Sequence, residues 1–234
     1  MANRFSVLLC GLIVLIFVAP IANAFRSPAL LSRLLVLIGF SLMLLTALFA
    51  ISQSRRHLVI AAFLSVPSVI LQTVNTLPAL EGNDQIRGWG YLFTIFFLGY
   101  IVVLTVGALF RQRTITTDLI CASLCAYLLL GVCWAFAYSL IEIMNPESFS
   151  IADAHTDASA GLNTSGTHFG FALYYSFVTL TTLGYGDVIP ILPISRGFSY
   201  GEAVMGQIYL AVLVARLVGL HIAQTLMGEE KGGA

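Results

Sequence analysis

The sequence predicts an all-α membrane protein with six transmembrane helices and a short re-entrant segment between the last two. Of its 234 residues, 59% are hydrophobic and only 9% are charged, whereas soluble domains usually carry about 25% charged residues. One water-soluble core could not bury that much apolar surface, so several membrane spans are required. The net charge at pH 7 is zero. No basic face therefore indicates a nucleic-acid partner, and the expected partner is the lipid bilayer.

Six apolar segments approach or exceed the roughly 20 residues needed to cross the hydrocarbon core; they are 5–24, 29–51, 58–74, 89–110, 119–144 and 198–222. The third segment is short and contains Pro67, a residue that can kink a helix. The first ends in "IANA" and has a second interpretation, a signal peptide cleaved after Ala24. Because its apolar stretch is long and another span follows almost at once, we expect a retained helix.

Basic residues in the short loops predict that both termini lie on the cytoplasmic side of the cell (inner) membrane. These residues are Arg55, Arg56, Arg111 and Arg113. The long break at 145–170 contains three acidic residues and no Lys or Arg, which is typical of an outer loop.

The run "TLTTLGYGDVIP", which begins at Thr179, separates the last two spans. The aromatic stretch before it is too short to cross a membrane, and non-helical backbone persists at membrane depth only when it is buried in protein or lines a cavity. Gly184 and Gly186 permit backbone angles that other residues resist, so successive carbonyl oxygens can point the same way. A row of such hard oxygen ligands suits a weakly held alkali cation. The carboxyl end of a short helix would favour a cation at the same place.

The stretch "TTLGYGD" closely resembles the selectivity-filter signature of potassium channels. From 119 to 222 the chain is similar to the bacterial ion channels built from two helices and a pore loop: outer helix, turret, pore helix, filter and inner helix follow in that order. Pro190, Arg196 and Gly206 lie at matching distances from the filter. The resemblance implies a potassium channel in a six-span form. Since each chain supplies one loop and a filter needs four, it also implies a homotetramer.

The resemblance divides the chain into three parts. Residues 1–110 would form a four-helix region of unknown role, 111–228 the pore domain, and 229–234 a short cytoplasmic tail. No Ser/His/Asp set, metal cluster or phosphate loop indicates an enzyme. No cofactor is expected beyond K⁺ as the permeant ion.

The resemblance also implies roles for individual residues of the filter. Thr182 would supply its hydroxyl oxygen at the inner end, and the backbone carbonyls would complete the ion-binding row; K⁺ would bind at Thr182, Leu183, Gly184 and Tyr185, with Gly186 closing the filter. Asp187 would lie at the outer mouth. Support for the filter, including partners for the Tyr185 ring, is expected from Thr181, Tyr174, Tyr175 and Thr179. Some relatives carry a carboxylate at the position of Val178, where it pairs with the aspartate. Valine cannot form this pair, so the pair is absent here.

Three residues of the last span are gating candidates. Gly206 is a hinge or a helix-packing contact. Glu202 needs a partner inside the membrane, and we expect it to face the back of the pore helix, near Thr179. Arg216 either reaches toward the interface or pairs with Asp118, or it lies at the inner gate, where it would tune conductance or bind anionic lipid.

Conventional voltage gating is not expected, because the fourth span contains no Lys or Arg and each sensor charge contributes only about 2.3 kcal/mol per 100 mV. The residues after 222 are too few for an attached ligand-binding domain. Two further functions stay open, a non-conducting or regulatory subunit and a less selective cation channel. The intact "TLGYG" disfavours the latter.

Overall fold

The computed structural model describes residues 4–24, 29–51, 55–74, 83–112, 114–151 and 168–232. Along these residues the chain forms helices and two short strands. In chain order they are α1 (Arg4–Ala24), α2 (Ala29–Ile51), α3 (Arg55–Val74), α4 (Asp84–Arg111), α5 (Thr117–Met144), β1 (Phe149–Ile151), α6 (His168–Leu180), β2 (Val188–Pro190) and α7 (Pro193–Gly232).

Each predicted span lies within one helix of the structure. Among the described residues, four helical stretches are long and apolar enough to cross a membrane: Arg55–Val74, Asp84–Arg111, Thr117–Met144 and Pro193–Leu226. Shorter apolar stretches occur in α1, α2 and α6, at Arg4–Phe17, Leu37–Ala50 and Phe169–Leu180. The segment predicted to be re-entrant is the 13-residue helix α6, and α3 continues through Pro67.

Local capping explains why two helices begin before their apolar segments. Asn83 accepts hydrogen bonds from the amides of Gln85 and Ile86, so α4 begins at Asp84. Thr116 accepts a hydrogen bond from the Leu119 amide, so α5 begins at Thr117. Side-chain oxygens at these positions satisfy amides that have no partner inside the helix.

Helix α5 is the centre of the fold. Of its most apolar stretch 56% is buried, compared with only 6% for α7. One continuous apolar core joins the first helices to α5 and α6; its members include Leu12 in α1, Met43 in α2, Leu98 in α4, Leu129 in α5 and Leu173 in α6. The amino-terminal helices therefore pack directly on the region that resembles a pore.

Much of α7 is an apolar surface that the rest of the chain leaves uncovered. Its exposed side chains include Val204, Ile208, Val212, Val218, Ile222 and Leu226. A surface of this kind is expected to contact lipid or other protein chains.

The two strands are the one part of the fold class that the sequence did not predict. β1 and β2 pair antiparallel, with Phe149 opposite Pro190 and Ile151 opposite Val188. They join the residues after α5 to the residues that follow the glycine-rich run. Three-residue strands carry too little alternation to be recognised in a sequence.

Candidate functional site

Residues 181–187, which we call the glycine segment, follow α6 directly and have an alternating backbone. Thr182, Gly184 and Gly186 have φ angles of 57°, 58° and 79°. Thr182 is the single non-glycine residue with positive φ in the described part of the chain, a conformation that costs an L-residue about 1–2 kcal/mol. Alternation of left-handed and ordinary residues turns successive amides toward one side of the backbone, and their carbonyls then face the opposite side.

The first amides of the glycine segment are held by the carboxyl end of α6. The Thr182 amide donates to the Thr179 carbonyl at 2.9 Å. The amides of Leu183 and Gly184 both donate to the Val178 carbonyl, at 2.9 and 3.4 Å. Among the described residues, no hydrogen bond reaches the carbonyl oxygens of 182–186. Those oxygens are therefore free to bind a cation.

Side chains of the glycine segment are exposed in the single chain. Leu183 is 56% exposed and Tyr185 is 66% exposed. Two of the residues expected to support Tyr185 have other partners instead: the Tyr174 hydroxyl bonds Asp187, and the Tyr175 hydroxyl lies 2.6 Å from the Ser199 oxygen. The described residues of this chain therefore leave most of the Tyr185 side chain uncovered.

Asp187 has a hydrogen-bond partner that sequence reasoning did not assign. The hydroxyl of Tyr174 donates to Asp187 Oδ2 at 2.5 Å, and the Val188 amide donates to Oδ1 at 3.1 Å. Tyr174 lies on α6, outside the membrane-spanning helices, and its hydrogen bond to Asp187 raises its pKa to about 12. The tyrosine thus stays protonated at neutral pH. It supports the aspartate where a carboxylate at Val178 is missing.

The carboxyl end of the glycine segment is fixed by the strands and by α7. After β2, the Ile191 amide donates to the Ser148 carbonyl at 2.9 Å. The Ser195 hydroxyl reaches the same carbonyl, also at 2.9 Å. Arg196 Nε donates to the Pro190 carbonyl at 3.1 Å. Both ends of the glycine segment are therefore attached to well-packed elements.

Glu202 lies against α6, and its partner there is Ser176 rather than Thr179. The Ser176 hydroxyl is 2.5 Å from Glu202 Oε1, and the Tyr138 hydroxyl of α5 is 2.5 Å from Oε2. Glu202 is completely buried. A carboxyl group within a membrane span needs such partners, and here two helices supply them.

One turn further along, α7 touches the end of α6. A Cβ built on Gly206 would lie 2.5 Å from the Leu180 carbonyl oxygen, so the backbones approach too closely for a side chain. The next residue, Gln207, places Nε2 3.4 Å from the hydroxyl of Thr182. The two helices thus run side by side in the same direction, toward the start of the glycine segment.

Arg216 faces α4. Its Nη2 donates to the carbonyls of Leu109 and Gln112, both at 2.7 Å, at the carboxyl end of α4. The guanidinium also lies over the Phe110 ring, 4.9 Å from its centroid. A cation in this position stabilises a helix end. Within the described chain, the hydrogen bonds of Arg216 are made with these carbonyls and not with Asp118, the partner suggested by the sequence.

Sequence reasoning missed Tyr138, Ser176 and Gln207. All three are polar side chains within apolar helices, and this is the signal by which a sequence identifies candidate partners. Their pairing with Glu202 and Thr182 depends on how the helices pack, and no spacing along the chain reveals it.

Comparison with known proteins identifies one region. Residues 124–221 match the family model described as "Ion channel", which represents a pore domain with two transmembrane helices. The match begins inside α5 and ends inside α7, and so contains α6, the glycine segment and β2. It covers less than half of the chain. No curated protein and no solved structure matches the chain. The matched region and the apolar helices indicate a multi-pass membrane protein, and the match supports ion transport as its function.

Proposed function

We propose that this protein is a potassium-selective channel that conducts K⁺ passively across the cell membrane. The observation that carries the proposal is the backbone of the glycine segment. Every second residue from Thr182 to Gly186 is left-handed, the amides of 182–184 are bonded to α6, and the carbonyls are unbonded within the described chain. A row of carbonyl oxygens of this kind replaces the hydration shell of K⁺. The bound ions would lie at Thr182, Leu183, Gly184 and Tyr185.

The hydrogen bonds of the Thr182 hydroxyl are compatible with a place in this row. Its Oγ1 donates to the Thr181 carbonyl at 2.7 Å, so its proton is occupied by that carbonyl. A hydroxyl oxygen has two lone pairs. One accepts the hydrogen bond from Gln207, and the other is available to the innermost cation.

One chain supplies only one row of oxygens, so the proposal requires a homotetramer with the four glycine segments around a common axis. The exposed side chains of Leu183 and Tyr185 and the uncovered apolar face of α7 support this arrangement, because neighbouring copies would bury them. The carboxyl end of α6 would point toward the axis, where its dipole favours a cation.

We further propose that the chain has six spans with both termini in the cytoplasm, and that a conventional voltage sensor does not gate it. Helix α4 carries arginines only near its two ends, at Arg87 and Arg111. Arg87 forms an ion pair with Asp84 in the first turn of that helix. Neither position provides a ladder of charges within the membrane field.

The proposal is tested by flux measurements on purified protein in liposomes. The wild type should conduct K⁺ in clear preference to Na⁺. Gly184→Ala should abolish selective flux, because φ at Gly184 is positive and a side chain there is strained. The matched control is Gly107→Ala in α4. A Cβ at either glycine meets no atom within 4 Å, but only Gly184 has positive φ.

Several outcomes would contradict the proposal. Full selective flux in Gly184→Ala would reject the assignment of the filter. Equal K⁺ and Na⁺ flux in the wild type would favour a less selective cation channel. No flux at any lipid composition, pH or voltage, together with a non-tetrameric state, would favour a regulatory subunit that assembles with other chains.

A further inference from the structure

We infer that Glu202 is a positioning residue that ties α7 to α6 and so keeps the glycine segment in its conducting shape. The inference rests on the proposed function, since it concerns how that filter is held. In this view, the buried carboxyl group of Glu202 links α7, which would line the pore, to α6, which supports the filter.

The first observation is that both oxygens of Glu202 are used, and by different helices. Oε1 accepts a hydrogen bond from the Ser176 hydroxyl of α6, and Oε2 accepts one from the Tyr138 hydroxyl of α5. Ser176 and Glu202 are fully buried, and Tyr138 is 1% exposed. Water cannot replace these hydrogen bonds, so the position of Glu202 constrains both neighbours.

The second observation is the register between α6 and α7. Ser176 meets Glu202, and four residues later in each helix Leu180 meets Gly206. Residues four apart lie on the same helix face, so α7 holds one face of α6 at two points, one turn apart. A displacement of α7 at Glu202 is therefore transmitted to α6.

The third observation connects α6 to the filter itself. Val178, which lies between Ser176 and Leu180, provides the carbonyl that receives the amides of Leu183 and Gly184. The orientation of the filter amides, and hence of the carbonyls opposite them, thus depends on α6. Glu202 is the one acidic residue in the hydrogen bonds described between α6 and α7.

The partners of Glu202 would respond differently to its removal. The Ser176 hydroxyl is also 2.7 Å from the Gly131 carbonyl of α5, so it would keep an acceptor and α6 would stay attached to α5. The Tyr138 hydroxyl donates at 2.5 Å to Glu202 and has Ser199 as a second neighbour, so a lone Glu202→Leu change would remove its close acceptor at a buried position. The double variant Glu202→Leu/Tyr138→Phe removes the hydrogen bonds of Glu202 and leaves no tyrosine hydroxyl without its acceptor, while the Tyr175–Ser199 hydrogen bond between α6 and α7 remains.

The experiment compares this double variant, Glu202→Gln and the control Tyr209→Phe in full-length protein reconstituted in lipid. Tyr209 donates from α7 to the Ser123 carbonyl of α5 at 2.6 Å, so Tyr209→Phe removes a hydrogen bond of similar length that bypasses α6. Two quantities are measured: hydrogen exchange of the amides of residues 182–184, and the fraction of time that single channels spend in a non-conducting state at low K⁺.

In the double variant, we expect the 182–184 amides to exchange at least tenfold faster than in Tyr209→Phe. This corresponds to the loss of about one buried hydrogen bond. The non-conducting fraction should rise by a similar factor and fall again at high K⁺, because bound ions hold the filter. Unitary conductance should be unchanged. Glu202→Gln keeps one acceptor oxygen and should be intermediate.

Equal exchange at these amides in the double variant and in Tyr209→Phe would overturn the inference. So would faster exchange spread evenly over all helices, because that pattern indicates a general loss of stability. If the wild type itself conducts no K⁺, the proposed function fails. The exchange comparison then still decides whether Glu202 positions this segment.

Discussion

Replacing Gly206 by alanine would distinguish a close helix contact from a hinge. The new Cβ would lie 2.5 Å from the Leu180 carbonyl oxygen and 2.9 Å from Leu180 Cδ1. Ordinary contacts between such atoms are about 3.5 Å or longer, so the end of α6 must retreat by roughly 1 Å. Overpacking of this kind costs about 1–3 kcal/mol. Because Leu180 immediately precedes the glycine segment, the shift would reach Thr182, and we expect K⁺ flux to fall at least tenfold.

The assay combines K⁺ flux in liposomes with thermal unfolding of the purified assembly, again with Gly107→Ala as the control. The control adds a methyl group where no atom lies within 4 Å, and alanine favours a helix over glycine by up to about 1 kcal/mol. It should therefore retain flux and stability. Wild-type flux and stability in Gly206→Ala would refute the close-contact argument. Unchanged stability with altered open times would show instead that Gly206 acts as a hinge.

Two further predictions concern the hydrogen bonds made by Tyr174 of α6 and by Arg216 of α7. Tyr174→Phe removes the hydrogen bond to Asp187 and should shorten conducting periods without reducing the number of folded channels. The pKa of Tyr174 is raised from about 10 to about 12, so the stabilising effect of this bond is complete below pH 10 and is lost as the pH rises through 12. Recordings of the wild type from pH 7 to 9 should therefore show no shortening of the conducting periods. Arg216→Gln removes the cation from the end of α4 and should lower stability by about 1–3 kcal/mol, measured by thermal unfolding, with unitary conductance unchanged. A large conductance change at normal stability would place Arg216 at the ion path instead.

The helices were predictable because each signal lies within one short stretch of chain. Apolar length locates the spans, and the short aromatic run before the glycines predicted α6. The limits of the helices were less accurate. α7 begins at Pro193 and continues to Gly232, beyond the apolar segment 198–222, since apolar length locates the part of a helix that can cross a membrane and not the polar turns that flank it.

The contacts around the glycine segment were predicted less well because they depend on distances between helices. A polar residue in a span signals that a partner exists, but it does not name the partner. Thr179 was expected beside Glu202, whereas Ser176 lies there. The Tyr174–Asp187 bond joins α6 to the last residue of the glycine segment, and their meeting depends on the path of the backbone between them.

The attachment of the glycine segment at both ends has a consequence for how this chain can vary. Its first amides are bonded to α6, and β2, which follows it, is paired with β1. Whether a chain tolerates an inserted residue depends on the hydrogen bonding of the backbone at that place. Here the backbone is hydrogen-bonded on both sides of the segment. One added residue would shift either the amides held by Val178 or the register of β2. The number of residues between these two anchors is thus as strict a requirement as their identity, and side chains such as Leu183 have more freedom to change than the length does.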